Sequence, residues 1–137
     1  MPRAVFLAAP ERGHGAHALV EALLRELQVA TGGALKGSDV FAPHLQVGDP
    51  GVEVEAAAYF SRSLRAIQDA RVVVAVLDGA QVDESVAFWM GYAFAAEKPV
   101  LAYVTDARAK GPMVSGAVTE HAHDVKSLAA ALARRLL

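Results

Sequence analysis

The chain has 137 residues, of which 54% are hydrophobic and 20% charged, and its formal net charge is -2. We expect residues 1–137 to form one domain with a single core, and the weak charge argues against a nucleic-acid polymer or an anionic membrane as a partner. There is no cysteine, which excludes disulfides, thiol catalysis and cysteine metal sites and favours a cytoplasmic protein.

The first half of the chain predicts two strands and two helices. Residues 4–9 are apolar and a proline follows at once, which is typical of a buried strand, and charged residues then come too soon for a signal peptide. Residues 16–30 carry apolar side chains at helical spacing and are followed by two glycines. A short strand is expected at 39–42, a loop at 44–51, where the sequence reads HLQVGDPG, and a second helix at 52–69.

The second half of the chain continues this alternation. Residues 72–77 are apolar throughout and mostly valine, as in parallel strands that are buried on both faces. Residues 86–96 contain no charge, which predicts a largely buried helix. Strands are expected at 100–104 and 117–122, and a last helix from Asp124 to the end. Such alternation predicts an α/β fold, a flavodoxin-like doubly wound sheet of about five parallel strands with helices on both faces.

The most informative segment is 72–106, which reads VVVAVLDGAQVDESVAFWMGYAFAAEKPVLAYVTD. It resembles the signature of the nucleoside 2-deoxyribosyltransferase family, in which LDG is followed by an aspartate, two small residues, an apolar residue, a glutamate and then GYA. The shared positions are Leu77-Asp78-Gly79, Asp83, Gly91-Tyr92-Ala93, Lys98-Pro99 and Thr105-Asp106. The resemblance covers most of the chain and implies a flavodoxin-like protein that handles nucleosides.

One position of the signature differs, because Trp89 stands where the family keeps its glutamate nucleophile. Exchange of the base with retention needs a carboxylate that first captures the anomeric carbon and is then displaced. Tryptophan cannot attack in this way, since its indole nitrogen is only a donor. Trp89 either fills the volume of a disused pocket or stacks on a flat base. Glu84 is the nearest carboxylate, but five residues away on a helix we expect it on another face.

The resemblance also implies further site residues. Asp83 matches a family aspartate that contacts the sugar, although aspartate also favours the N-cap of a helix, and the two roles can coexist. Ser63 falls where active relatives carry a second aspartate near the base, Phe6 where some have a tyrosine, and His121 near a polar residue that reaches a neighbouring subunit's pocket. We predict Asp83 as the catalytic residue, with substrate contacts from Phe6, Ala8, Ser63, Asp78, Gly79, Ser85, Trp89 and His121.

The predicted topology gives a separate argument for the same location. Open α/β sheets bind ligands beyond the carboxyl ends of their strands, near the point where the strand order reverses. Those ends are Ala8-Ala9-Pro10, Phe41-Ala42-Pro43, Asp78-Gly79 and Thr105-Asp106. Asp78 and Asp106 are, however, also ordinary turn formers.

Metal and cofactor sites are not expected. The five histidines, at positions 14, 17, 44, 121 and 123, form no pair with an evident third ligand. The loop 10–15 precedes a helix start that could receive a phosphate with the help of Arg12, but it has no phosphate-loop or dinucleotide signature. No stretch reaches the roughly 18 apolar residues of a membrane span.

Three functional hypotheses follow. In the first, the chain binds a small-molecule nucleoside, nucleotide or related N-glycoside, and glycosyl transfer is weak or lost. In the second, it is an inverting N-glycosidase on deoxynucleotides or a modified nucleoside, in which Asp83 activates water and no covalent intermediate forms. In the third, it is a non-catalytic binding or assembly module. The family resemblance and the high apolar content favour a homo-oligomer, a dimer or larger.

Overall fold

The fold is built on one sheet of five parallel strands in the order β2-β1-β3-β4-β5. The computed structural model describes residues 2–11, 14–48, 54–106, 108 and 111–136. The strands are β1 Val5–Ala8, β2 Val40–Phe41, β3 Val72–Leu77, β4 Val100–Val104 and β5 Glu120–Ala122. This order is that of flavodoxin-like folds, which confirms the predicted architecture.

Six α-helices accompany the strands in the described part of the chain. They are α1 His14–Ala30, α2 Pro43–Gln46, α3 Ala56–Asp69, α4 Glu84–Ala95, α5 Pro112–Ala117 and α6 Val125–Leu136, and a 3-10 turn at Gly37–Asp39 precedes β2. None of the described helices is long and apolar enough to cross a membrane.

The core lies in two layers, one on each face of the sheet. Because successive side chains of a strand point to opposite faces, Val5 and Leu7 of β1 pack with α1 and α6, whereas Phe6 and Ala8 pack with α3 and α4. Strand β3 lies between β1 and β4 and every one of its residues is buried, which explains why its sequence is apolar without alternation. The α3 and α4 layer is the one that forms the candidate site.

The structure corrects three predictions of local structure. The predicted loop 44–51 begins instead in a helical turn, α2, which Pro43 opens; proline suits this position because its fixed φ matches a helix and its missing N–H is not needed there. Residues 49–53 lie outside the described residues. The predicted strand 117–122 is shorter, because Ala117 ends α5 and β5 starts at Glu120.

The third correction concerns α4, which was expected to be largely buried. One side of the helix is buried, with Val86, Trp89, Met90 and Ala93. The other side is exposed, although it is apolar: Phe88 is 51% exposed and Phe94 is 61% exposed. The absence of charge in this segment therefore does not come from burial inside a single chain.

Candidate functional site

A cavity of about 440 Å³ lies between the amino-terminal halves of α3 and α4, beside the segment that follows β1. This is the carboxyl edge of the sheet, where ligands bind in open α/β folds, and the volume is in the range of small-molecule sites. The described residues that line it are Glu11, Ala56, Tyr59, Phe60, Ser63, Glu84, Ser85, Phe88 and Trp89. Three predicted contact residues, Ser63, Ser85 and Trp89, therefore meet in one cavity.

Trp89 is both a core residue and part of the cavity wall. Its side chain is 5% exposed, and its ring meets Phe6 edge to face with 5.3 Å between centroids. Phe6 in turn stacks on Phe41 at 5.8 Å. Edge-to-face and offset contacts of this kind stabilise aromatic clusters and fix ring orientation. Phe6 thus packs against the Trp89 ring and is not among the residues that line the cavity.

Ser63 is the most deeply buried polar residue of the site. It is 1% exposed, and its hydroxyl has no hydrogen-bond partner in the part of the chain that the structure describes. A buried hydroxyl left without a partner destabilises the folded protein. Because Ser63 lines the cavity, a polar atom of a ligand can supply the missing bond.

Asp83 is the N-cap of α4, which confirms the structural role expected from its residue type. Its Oδ1 accepts hydrogen bonds from the backbone N–H groups of Ser85 at 2.9 Å and Val86 at 3.2 Å. These bonds satisfy two of the donors that a helix leaves open at its start. Asp83 does not line the cavity, so its predicted catalytic role remains a prediction.

Two other carboxylates line the cavity in its place. Glu84 is the first residue of α4, and Glu11 follows β1. Glu84 and Trp89 line the same cavity although they are five residues apart on α4.

Three aromatic side chains of the cavity were missed from the sequence. Phe60 and Phe88 form a tilted pair with 5.8 Å between their centroids, and both are about half exposed, whereas Tyr59 is buried. A usable signal existed, since Phe88 precedes Trp89 in the uncharged helix and Tyr59-Phe60 occupies the first turns of α3. Only the packing of α3 against α4 brings the four aromatic residues together.

Hydrogen bonds of the Thr105 side chain join the carboxyl ends of β3 and β4. The Thr105 hydroxyl donates to Asp78 Oδ1 and to the carbonyl of Leu77. Asp106 accepts hydrogen bonds from the backbone and the guanidinium of Arg108, and these hold the pKa of Asp106 below its usual value. Both aspartates therefore stabilise turns, which agrees with their ordinary role.

The remaining predicted contacts lie away from the cavity lining. Gly79 has φ +86, a conformation that favours glycine, and turns the chain after β3. Ala8 is fully buried at the end of β1. His121 is exposed on the edge strand β5, which β3 and β4 separate from β1.

A larger cavity, of about 570 Å³, lies alongside β2 and α3. Arg3, Arg62 and Arg65 border it together with Asp69. It contains none of the positions that resemble the family signature and does not adjoin α4. We therefore assign the candidate site to the smaller cavity.

Metal binding finds no support in the described residues, among which no group of three histidine, aspartate or glutamate side chains could hold an ion. The chemistry available at the cavity is that of carboxylates, hydroxyls and aromatic rings.

Comparison with known proteins agrees with this fold. The sequence matches the family model described as nucleoside 2-deoxyribosyltransferase over residues 5–128. No curated protein matches the sequence. Structural similarity extends to a conserved protein from Enterococcus faecalis V583, with a TM-score of 0.78 and 17% identity over 99% of this chain and 100% of that one.

Two further similar structures have named activities. A 2-deoxyribosyltransferase from Bacillus psychrosaccharolyticus has a TM-score of 0.70 and 19% identity, over 92% of this chain and 90% of that one. A CMP N-glycosidase from Clostridium botulinum has a TM-score of 0.63 and 14% identity, over 98% of this chain and 100% of that one. At such identities these likenesses establish the fold.

Proposed function

Since the chain belongs to the nucleoside 2-deoxyribosyltransferase family, we propose that it binds a nucleoside, nucleotide or related N-glycoside in the cavity between α3 and α4, without efficient transfer through a covalent intermediate. The observation that carries this proposal is Trp89. By the resemblance of the surrounding signature, Trp89 stands where the family keeps its glutamate nucleophile, and it forms part of the wall of that cavity.

The cavity is chemically suited to a heterocycle joined to a sugar. Aromatic side chains stack on flat bases, and four of them line the cavity. The hydroxyl of Ser63 and the side chain of Ser85 can bond polar groups of the sugar or base. Apolar walls with a few polar groups are the usual composition of small-molecule sites.

The loss of transfer can be tested by base exchange. Purified protein incubated with deoxyinosine and adenine should form no deoxyadenosine, because the tryptophan at position 89 cannot capture the anomeric carbon. Trp89→Glu should introduce measurable exchange, and Trp89→Gln, which has similar size but no carboxylate, is its control. Brisk exchange by the unaltered protein would refute the proposal.

Binding itself is tested by thermal shift with a panel of nucleosides and 5′-monophosphates, since a ligand that binds only the native state raises the melting temperature. A site-specific shift should be lost in Ser63→Leu, which fills the cavity. If no compound of the panel shifts the melting temperature, the protein is better described as an assembly module.

A second candidate function is hydrolysis of an N-glycosidic bond with inversion. It needs a carboxylate to activate water but no nucleophile on the protein, and Glu11 and Glu84 line the cavity. The solved CMP N-glycosidase adds the precedent of a similar fold whose named activity cleaves an N-glycosidic bond. Release of free base, measured by chromatography, should fall in Glu84→Gln or Glu11→Gln; a loss in Asp83→Asn alone would instead favour Asp83 as the base.

Homo-oligomerisation is part of the same proposal. The exposed stripe of α4 is apolar, and helices that are apolar all round are normally covered. Proteins of this family share pockets between subunits. This favours a second copy of the chain as the partner that covers the exposed face of α4.

A further inference from the structure

The charged residues that line the cavity in the described part of the chain all have the same sign. Among the described residues that line it, Glu11 and Glu84 are charged, and none is lysine, arginine or histidine. Carboxylates repel a phosphate group and attract a positive charge, most strongly where water is partly excluded. The lining thus disfavours a 5′-monophosphate and favours a cation.

The aromatic residues of the cavity point in the same direction. Tyr59, Phe60, Phe88 and Trp89 complete the lining. Ring faces carry the negative end of the aromatic quadrupole and attract cations, and tryptophan does so best. Aromatic rings combined with carboxylates are the means by which proteins recognise organic cations that have no N–H to donate.

We propose, on the premise of the nucleoside-binding function above, that the cavity takes an N-glycoside whose heterocycle carries a fixed positive charge and whose sugar bears no 5′-phosphate. N-alkylated pyridinium and purinium nucleosides form this class. The two carboxylates supply the charge complement, the rings supply the stacking surface, and the buried hydroxyl of Ser63 gains the partner that it lacks among the described residues.

A cationic heterocycle also suits a site that has lost its nucleophile. When the bond from C1′ to the ring nitrogen breaks, both electrons go to the ring, which leaves as a neutral base and needs no proton from an acid. Water adds to C1′ and gives up one proton to the carboxylate of Glu84 and from there to solvent. The products are the free sugar, the neutral base and one proton.

Nicotinamide riboside provides the decisive test, because its reduced form has nearly the same shape and no charge. By titration calorimetry the cation should bind at least about tenfold more tightly than reduced nicotinamide riboside, a factor that corresponds to about 1.4 kcal/mol. Nicotinamide mononucleotide, which adds the 5′-phosphate, should bind more weakly than the riboside. Equal affinities for the charged and reduced forms, or tighter binding of the mononucleotide, would overturn the inference.

Variants that remove one carboxylate test whether the preference for the cation arises in the cavity. Glu84→Gln and Glu11→Gln should each reduce the preference for the cation over the reduced form, whereas Glu21→Gln, on the exposed side of α1, should not change this preference. If both variants fold, as judged by thermal unfolding, and keep the full preference, the carboxylates are not the cause and the inference fails. Arg12, next to Glu11 in the sequence, lies outside the described residues; a mononucleotide preference that Arg12→Gln abolishes would also overturn it.

These binding measurements distinguish failure of this inference from failure of the proposed function. Binding of neutral nucleosides as tight as that of the cation leaves the proposed function intact and removes the inference. Absence of binding by every charged and neutral nucleoside removes both. Bound riboside from which no nicotinamide is released overturns the hydrolytic step assigned to Glu84.

Discussion

At the scale of single residues, Trp89 is the residue on which the proposed function depends. It contacts Phe6, is almost fully buried and still contributes to the cavity wall. The sequence alone singled out this position, because the LDG and GYA positions around it resemble the family signature. It did not identify Glu11 or Tyr59, because their place in the cavity depends on how α3 and the segment after β1 approach α4.

Ser63→Ala should have opposite effects on folding and on binding. Removing a buried hydroxyl that lacks a partner among the described residues should stabilise the free protein by on the order of 1 kcal/mol, measured by urea denaturation. The same variant should bind nucleosides more weakly, because the ligand loses a hydrogen bond. A loss of stability without loss of binding would show that Ser63 is bonded in the free protein and is not a contact.

Two substitutions at Asp83 separate its role as the N-cap of α4 from the chemical role of its negative charge. Asp83→Ala should destabilise the protein by about 1 kcal/mol, since α4 loses its cap, whereas Asp83→Asn keeps an oxygen acceptor and should stay close to the parent protein. Chemical denaturation of both variants measures the difference. Equal destabilisation by the two would contradict the N-cap role.

At the scale of elements, the strands were easier to predict than the helices. Strand β3 is buried on both faces, so its apolar run has one interpretation, whereas the uncharged run of α4 was consistent with burial and proved half exposed. The short α2 and the late start of β5 were missed because residue type decides little over three or four residues, where packing against neighbours decides the conformation. The candidate site lies between α3 and α4, and for this reason its wall could be predicted only in part.

Helix α6 offers a prediction about pH. Hydrogen bonds from the backbone and hydroxyl of Ser127 lower the pKa of Asp124, which precedes the helix. Because the folded pKa lies below the unfolded one, the carboxylate stabilises the protein above the unfolded pKa, and this contribution is lost as the pH falls through the folded value. Asp124→Asn should therefore show a smaller fall in melting temperature between neutral and acid pH than the parent protein. Identical pH profiles would contradict this role.

At the scale of the whole molecule, the exposed face of α4 is the feature that a single chain leaves unexplained. Phe88, Gly91, Phe94 and Ala95 are exposed on a helix without charge between residues 86 and 96. Contiguous apolar surface of this kind usually marks an interface. Because Phe88 also lines the cavity, a second copy seated on this face would adjoin the candidate site, and binding and assembly would be coupled.

Phe94→Glu tests this coupling, because Phe94 is exposed on α4 but does not line the cavity. Light scattering after size-exclusion chromatography should give a multiple of the chain mass for the parent protein and a smaller species for the variant, since a charge buried at an interface is strongly unfavourable. Val29→Glu, at an even more exposed apolar residue on α1, should change neither assembly nor binding. If the neighbouring copy helps to close the cavity, Phe94→Glu should also weaken nucleoside binding even though the cavity residues are intact. A monomeric parent protein with full affinity would show that the apolar face of α4 serves some purpose other than self-association.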